Sequence, residues 1–236
     1  MDASSGRHHV GDFRESPQSG GELRLILIVC VATVPLLLAT AIWPDIDVAI
    51  ARHVLLPLSS PLRPSALVLR EILRFTPWVL CAALTIYLLL QVVRGRTPPR
   101  RAARQLIFFL GLAAVGPGLL VNAGLKEHSH RPRPVQTIEV AGGTLAFRPY
   151  YKFDGGCARN CSFSSGEAAS SFWTAAPALL APPPLRTAAV AAALAFGVGA
   201  STMRMIVGAH FLSDVAFSAL LILVLTLAAR RIIRPE

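Results

Sequence analysis

The chain has 236 residues, of which 53% are hydrophobic and only 15% are charged. A soluble domain of this size carries about 25% charged residues, so the composition excludes an ordinary soluble protein and predicts an integral membrane protein. The net charge of +10 would suggest nucleic acid in a soluble chain, but much of it flanks apolar runs, where it sets membrane topology, and no nucleic-acid partner is predicted.

The N-terminal segment, residues 1–22, is polar and rich in glycine and serine, and we predict a disordered cytoplasmic tail. The apolar run that follows it is too long for a cleaved signal peptide and lacks a small-residue cleavage site. This run is therefore predicted to remain as a first anchor, and residues 23–236 are predicted to form one membrane domain.

The apolar stretches predict an all-α, polytopic bundle of six transmembrane helices surrounded by membrane lipids. About 20 helical residues are needed to cross the hydrocarbon core. The fourth stretch is short, and three prolines at residues 182–184 predict a tight hairpin between it and the fifth. The six predicted spans are residues 23–43, 65–93, 103–125, 166–181, 185–203 and 211–229.

Arginine-rich segments predict the orientation of this bundle. Residues 94–104 and 230–234 are dense in arginine and lie close to span ends, which predicts that their side is cytoplasmic. The connection formed by residues 126–165 then lies on the outer face, together with three polar clusters. This outer loop is itself basic, against the usual trend, and an anionic ligand is the simplest explanation for its six cations, Lys126, Arg131, Arg133, Arg148, Lys152 and Arg159.

The first polar cluster is Lys126, Arg133 and Pro134, in the run K-E-H-S-H-R-P-R-P. Phosphoryl transfer needs positioning and neutralisation of the phosphate oxygens, which arginine provides with a planar fork and lysine with a point charge. We predict that Lys126, Arg133 and Arg204 form a phosphate cradle. The alternative is that Lys126 and Arg133 only extend to the membrane surface.

The second cluster, residues 164–167, has the sequence Ser-Ser-Gly-Glu at the start of the fourth predicted span. Serine is a good N-cap, and a helix start presents unpaired N–H groups and a partial positive charge, so this segment is predicted to bind an anion. The alternative is a plain N-cap with Glu167 in the first turn, where acidic residues are favoured.

The third cluster contains Arg204, His210 and Asp214, with His210 and Asp214 on one helical face. Asp214 is predicted to accept a hydrogen bond from one imidazole nitrogen, which leaves the other nitrogen free to attack phosphorus and form a phosphohistidine. The alternative is a structural pair that closes a helix end.

Together the clusters resemble the type 2 phosphatidic acid phosphatase superfamily, whose signature is K-x6-R-P, then P-S-G-H, then S-R-x5-H-x3-D. The resemblance implies a membrane enzyme that hydrolyses the phosphate monoester or diphosphate of a lipid without a metal or other cofactor. It also implies a bacterial inner-membrane location with the site facing the periplasm. His210 would be the nucleophile with Asp214 as its partner, and the phosphate-binding residues would be Lys126, Arg133, Ser165, Gly166 and Arg204.

The chain departs from this signature at Ser164, Glu167 and Met203, where the family has Pro, His and Ser. The family histidine is understood to protonate the leaving oxygen. Glu167 could replace it as the acid, act as a base that activates water, or be a structural partner of arginine, and His128 and His130 are candidate substitute proton donors. If position 167 protonates the leaving oxygen only weakly, the substrate needs a less basic leaving group. Undecaprenyl diphosphate and the anomeric phosphate of lipid A have such leaving groups.

Two further features bear on the site. Cys157 and Cys161 precede the second cluster on the outer face and are a candidate disulfide pair if that face is the periplasm, whereas a zinc site would lack a matching second pair. Arg70, Glu71 and Arg74 are predicted to form an interfacial cluster at a substrate entrance. The stretch N-C-S-F-S-S-G-E, which contains the second cluster, resembles the superfamily branch with the bacterial lipid A phosphatases.

Other functions remain open from the sequence. Undecaprenyl diphosphate, phosphatidylglycerol phosphate and phosphatidate are alternative substrates to lipid A. A protein of another class, which binds or transports a lipid phosphate without catalysis, is also compatible with a basic outer vestibule. Soluble vanadium haloperoxidases share the motif geometry, but the six predicted spans argue against that class. No oligomeric state is predicted.

Overall fold

The computed structural model describes residues 20–235, and within this range the chain is helical, as predicted, with one isolated backbone bridge between Thr137 and Leu145. Residues 1–19 of the predicted tail lie outside the described residues. The main helices are α1 (Gly21–Ile42), α2 (Asp45–Val54), α3 (Arg63–Val93), α4 (Pro99–His128), α5 (Gly166–Trp173), α6 (Ala175–Ala178), α7 (Pro183–Ile206) and α8 (Leu212–Ile233).

Five helices in residues 20–235 are long and apolar enough to cross a membrane, namely α1, α3, α4, α7 and α8. The expected fourth span, residues 166–181, is instead divided into the short helices α5 and α6. Thr174 ends α5, and its hydroxyl donates to the Ser171 carbonyl at 2.6 Å, while Pro177 removes a backbone donor within α6. The protein is therefore a multi-pass helical bundle in which a short helix pair stands in place of the predicted fourth span.

Helix α5 lies at the centre of the bundle, packed against α3, α4, α7 and α8. All of its residues except Glu167 are buried. The indole N–H of Trp173 donates to the Phe109 carbonyl at 2.8 Å, which fixes α5 against α4. On the α7 side, a Cβ added at Gly197 would lie 2.6 Å from the ring of Phe172, so glycine is what allows the two helices to approach closely.

Helix α4 contains π-helical stretches, Ile107–Gly111 and Ala114–Leu125. The carbonyl of Pro117 accepts a hydrogen bond from the side-chain amide of Asn122 at 2.7 Å. Widened turns of this kind re-aim side chains and are frequent at functional sites. Here they bring Asn122 against the start of α5.

Helix α2 occupies the connection between the first two long helices, where the sequence analysis placed no helix. Asp45 and Asp47 in its first turn and Arg52 in its last turn suit the helix dipole. The chain after α2 is fixed to the end of α7, because the N–H of Leu56 donates to the Ile206 carbonyl at 2.8 Å. Helix α2 therefore lies beside the junction of α7 and α8.

Candidate active site

The three polar clusters meet at one end of the bundle. Nη2 of Arg204 lies 3.3 Å from Nε2 of His210, and Nη1 of Arg204 lies 3.2 Å from a carboxylate oxygen of Glu167. Lys126 is close enough for its charge to lower the pKa of the His210 imidazole. Lys126 itself interacts electrostatically with Arg133, Arg204 and Glu167. Residues from α4, α5, α7 and the α7–α8 junction thus form one cluster, as the spacing of the motifs predicted.

The turn that carries His210 is held by close packing around Gly208. Gly208 has a positive φ of 73°, and a Cβ there would lie 2.4 Å from Val135 and 2.5 Å from Leu55. The Val135 N–H donates to the Gly208 carbonyl at 3.1 Å. The turn therefore requires glycine, both for its backbone conformation and for the approach of two neighbouring segments.

The imidazole of His210 is oriented by a backbone group. Its Nδ1 lies 2.7 Å from the carbonyl oxygen of Ser162 and 3.7 Å from the carboxylate of Asp214. Helical spacing predicts Asp214 as the acceptor of this hydrogen bond, but the Ser162 carbonyl is closer and takes that place. Because a carbonyl only accepts, the proton lies on Nδ1 and the lone pair is on Nε2, which faces Arg204.

Burial lowers the pKa of His210 to about 3, and the charges of Arg204 and Lys126 act in the same direction, while Asp214 opposes them. The imidazole is therefore neutral at ordinary pH. A neutral ring with a free Nε2 is the form that can attack phosphorus.

Asp214 is fully buried at the start of α8 and serves several donors. One oxygen accepts from the Ser162 hydroxyl at 2.5 Å and from the Phe211 N–H at 2.8 Å, which caps the helix. The other oxygen pairs with Arg131. Arg131 is also fully buried and donates to Asp47 at 2.8 Å.

The residues of the first cluster are held by the loop that follows α4. The guanidinium of Arg133 donates through Nε and Nη2 to the carbonyl of Asn160, at 3.2 and 2.8 Å. The Cys161 N–H donates to the Lys126 carbonyl at 3.2 Å, and Cys157 and Cys161 are joined in a disulfide. The disulfide loop therefore contacts both candidate phosphate-binding cations of this cluster.

The start of α5 has the geometry of a capped helix. The Ser165 hydroxyl accepts from the Ala168 N–H at 3.2 Å. A Cβ added at Gly166 would lie 2.3 Å from the side-chain oxygen of Asn122, which explains the glycine. The first N–H groups of a helix lack intrahelical partners, and here they adjoin the Arg204 cluster through Glu167.

Glu167 links α5 to two arginines from different helices. Its carboxylate lies 2.7 Å from Arg70 of α3 and 3.2 Å from Arg204 of α7. Arg70 also pairs with Glu71 at 2.6 Å, and Arg74 lies 3.4 Å from Glu71. Two guanidinium groups hold Glu167 as a carboxylate, and the predicted entrance cluster on α3 is in direct contact with the site.

The two candidate substitute donors lie outside this cluster of contacts. Nδ1 of His128 faces the Gly124 carbonyl at 2.7 Å, and the side chain is exposed. Nδ1 of His130 faces the Cys157 carbonyl at 3.0 Å. Met203, which replaces the family serine, lines a small pocket with Arg70, Glu167 and Arg204.

Half of the six loop cations have carboxylate partners within the protein, which corrects the expectation that an anionic ligand explains them all. Arg131 is buried between Asp47 and Asp214, Arg148 lies 3.4 Å from Asp154, and Arg159 lies 4.0 Å from Glu127.

Two residues of the site, Asp47 and Ser162, were not predicted from the sequence. The signal for Asp47 was an acidic residue within a short segment of helical character, and for Ser162 there was none, because its carbonyl makes the decisive contact.

The family model of the PAP2 superfamily matches residues 102–235, which is more than half of the chain. The chain belongs to the PAP2 superfamily. This confirms the family resemblance of the three motifs. Helices α1 to α3, including Asp47 and Arg70, lie outside the region that matches the PAP2 model.

Several curated relatives match about half of this chain. A lipid A 4′-phosphatase of Rhizobium leguminosarum is 46% identical over 121 residues, or 51% of this chain and 52% of that protein. One of Rhizobium etli is 47% identical over 121 residues, covering 51% and 47%. One of Francisella tularensis subsp. novicida is 40% identical over 125 residues, covering 52% and 56%. The chain spans about half the length of these relatives. No solved structure gives a significant match.

Proposed function

We propose that the protein is a membrane phosphatase that removes a phosphate group from a lipid of the lipid A type, through a phosphohistidine formed on His210. The observation that carries this proposal is the contact between Arg204 and Nε2 of a buried, neutral His210. A nucleophile with a free lone pair lies beside a cation that can hold the phosphate oxygens. The names of the curated relatives support the same activity.

In the first step, Nε2 of His210 attacks phosphorus, the bond from phosphorus to the lipid oxygen breaks, and the leaving oxygen takes a proton from water. The ring gains positive charge, because the proton on Nδ1 is retained by the Ser162 carbonyl at 2.7 Å. Arg204, Lys126 and Arg133 neutralise the equatorial oxygens, with N–H groups at the start of α5. Two side-chain atoms of this region, Nε of Arg204 and Oγ of Ser164, are buried without a partner in residues 20–235 and are available to a bound phosphate.

In the second step, water attacks phosphorus and releases His210. We assign Glu167 the role of the base that takes the proton of this water. The carboxylate is held ionised by Arg70 and Arg204, which suits a base and does not suit an acid. This role is one of the three that the replacement of the family histidine left open.

The lipid nature of the substrate is supported by an apolar groove lined by the same helices as the site. The small polar pocket at Arg70, Arg74, Glu167 and Arg204 lies between α3, α5 and α7. An apolar cavity of about 320 Å³ is lined by the next turns of α3 and α7 and by the α5–α6 segment. From Ala200 in the pocket to Ala189 in the cavity, α7 rises about 16 Å. We propose that an acyl chain of the substrate occupies this groove.

The relatives also bear on which phosphate is removed. They are named for the 4′ position, which is an ordinary sugar hydroxyl and not an anomeric one. The replacement of the family histidine by Glu167 instead favours an anomeric phosphate or a diphosphate, because these are less basic leaving groups. We propose the phosphate monoester of a lipid A-type glycolipid as the first substrate to test, with undecaprenyl diphosphate and phosphatidylglycerol phosphate as alternatives.

We further propose that the protein lies in the bacterial inner membrane with its site toward the periplasm. Thr97 and Arg101 of the arginine-rich connection line the same pocket as Pro182, which supports the inference that this connection and the proline turn share a side. The disulfide of Cys157 and Cys161 supports an oxidising compartment for the opposite side.

The test is phosphate release by the purified protein in detergent, with EDTA present, from lipid A, undecaprenyl diphosphate, phosphatidylglycerol phosphate and phosphatidate. We expect turnover with lipid A that resists EDTA and disappears in His210→Ala. Turnover that survives in His210→Ala would reject the nucleophile. Tight binding of all four lipids without release of phosphate would favour a non-catalytic binding or transport protein.

A further inference from the structure

A buried chain of charges reaches from the candidate nucleophile to helix α2. Arg131 is 0% exposed and contacts two carboxylates, Asp214 through Nη1 and Asp47 through Nη2 at 2.8 Å. Its guanidinium also lies 4.5 Å from the ring centre of Phe211, next to His210 in the chain. An arginine so fully enclosed is not available to a substrate, so its role is within the protein.

Asp47 makes more contacts than a charge partner of Arg131 requires. One oxygen accepts from the Ser213 N–H at 3.0 Å, and the other accepts from the Ser213 hydroxyl at 2.5 Å. The same hydroxyl accepts from Arg131 at 2.8 Å. Asp47 therefore holds both the first turn of α8, which carries Asp214, and the guanidinium that pairs with Asp214.

The balance of charge gives this arrangement a role in the reaction. Arg131 alone would cancel the charge of Asp214, whose carboxylate lies 3.7 Å from Nδ1 of His210. Asp47 adds a second carboxylate, so the buried group of three carries one net negative charge. Attack by Nε2 makes the imidazole ring positive, and a fixed negative charge in a buried site stabilises that ring.

We infer that Asp47 is a positioning residue for His210, acting through Arg131 and Asp214 to orient the nucleophile and to keep a net negative charge beside it. This inference rests on the proposed phosphatase activity. Asp47 contacts neither the imidazole of His210 nor the small polar pocket at Arg70, Glu167 and Arg204. It lies outside residues 102–235, so the family motifs do not assign it a role. It follows that α2 is part of the catalytic unit.

The test compares Asp47→Asn with Asp45→Asn, a matched change at an exposed carboxylate two residues earlier in α2. Active sites are counted as the folded, monodisperse protein in detergent, since a slower first step would itself reduce a phosphoenzyme burst. For Asp47→Asn we expect kcat per active site to fall about 10-fold or more with KM within about twofold, since the substrate contacts are intact. Asp45→Asn is expected to match the wild type, and Asp47→Glu is expected to recover part of the lost kcat.

Each outcome decides the inference. A purely structural Asp47 would lower the yield or the Tm but leave kcat per active site unchanged, and that result overturns the proposal. If Asp47→Asn does not fold, Ser213→Ala removes one hydrogen bond to Asp47 and keeps all three charges. A several-fold lower kcat in Ser213→Ala supports the inference, and an unchanged kcat overturns it. Absence of turnover in the wild type would instead reject the proposed function itself.

Discussion

The Nδ1 atom of His210 lies 2.7 Å from the backbone carbonyl of Ser162. The tautomer of the candidate nucleophile is therefore set by the main chain, while Asp214 lies 3.7 Å away and is engaged with other donors. This differs from a catalytic triad, in which the carboxylate accepts directly from the imidazole. The difference has a measurable consequence.

In Asp214→Asn, we expect kcat to fall by about 10- to 100-fold. In a triad the same change costs about 10⁴-fold, because the histidine adopts the wrong tautomer. Here the Ser162 carbonyl keeps the proton on Nδ1, so the tautomer is retained, and the loss comes from the negative charge, the pairing of Arg131 and the weakened contacts to Ser162 and Phe211. Steady-state phosphate release measures the effect, and Asp154→Asn, at a mostly exposed loop carboxylate, is the control. A loss near 10⁴-fold would contradict the geometry.

In Glu167→Gln, we expect the first turnover to survive and the second step to slow. The amide cannot take a proton from water, and loss of a general base lowers rates by about 10² to 10⁴-fold. Rapid quenching should show a stoichiometric burst of dephosphorylated lipid, followed by slow release of phosphate and an accumulated phosphohistidine. Loss of the burst would instead identify Glu167 as the acid of the first step. Glu127→Gln, at a partly exposed carboxylate on α4, is the control.

Ala189→Trp is expected to obstruct the apolar groove without touching the chemistry. Ala189 lines the cavity between α3 and α7, whereas Ala192 is exposed on the same helix and is absent from the residues that line it. We expect KM for a long-chain lipid phosphate to rise several-fold, with little change for a short-chain soluble phosphate. Ala192→Trp should leave both unchanged. An equal loss for both substrates in Ala189→Trp would indicate a disturbed fold in place of a blocked groove.

The low pKa of His210 predicts a stability that depends on pH. Burial lowers the pKa to about 3, below the 6.5 of a free histidine, so the unfolded chain takes up a proton between these values that the folded chain does not. The contribution is fully present above about pH 6.5 and is lost progressively as the pH falls toward 3. Thermal unfolding in detergent at pH 7, 6 and 5 should show a steeper decline for the wild type than for His210→Gln. If the Tm of the wild type and of His210→Gln falls equally with decreasing pH, the pKa of His210 is not lowered by folding.

Loss of the disulfide should weaken substrate binding more than turnover. The carbonyl of Asn160, between Cys157 and Cys161, holds the guanidinium of Arg133. A double change of both cysteines to serine frees this segment, and we expect KM to rise several-fold with a smaller change in kcat. Cys81→Ser, at an unpaired cysteine in α3, is the control. If KM is unchanged after loss of the disulfide, Arg133 does not depend on the loop.

The sequence predicted the helical class from hydropathy and the family from motif spacing, because both are local properties. It also predicted that Arg204, His210 and Glu167 meet, because their motifs lie at helix ends on the same side of the bundle. It did not predict the division of residues 166–181, where the Thr174 hydroxyl and Pro177 interrupt a stretch whose composition is apolar. Apolar composition alone does not separate a long spanning helix from a short buried pair.

The remaining misses share a physical origin. The sequence alone places Arg131 among the cations available to a ligand, because it does not show that Asp47 lies beside it, 84 residues away. The hydrogen bond of His210 was assigned to Asp214, because helical spacing suggests side-chain partners and does not show a carbonyl from a distant loop. Long-range contacts of this kind depend on the tertiary fold.

The groove between α3 and α7 has a consequence for kinetics. A substrate whose chain lies there reacts while still within the lipid or detergent phase. Its encounter rate then depends on its mole fraction in that phase, and the bulk concentration has little direct influence. Adding detergent at a constant amount of lipid phosphate should slow turnover by surface dilution, and raising both together should leave the rate nearly unchanged.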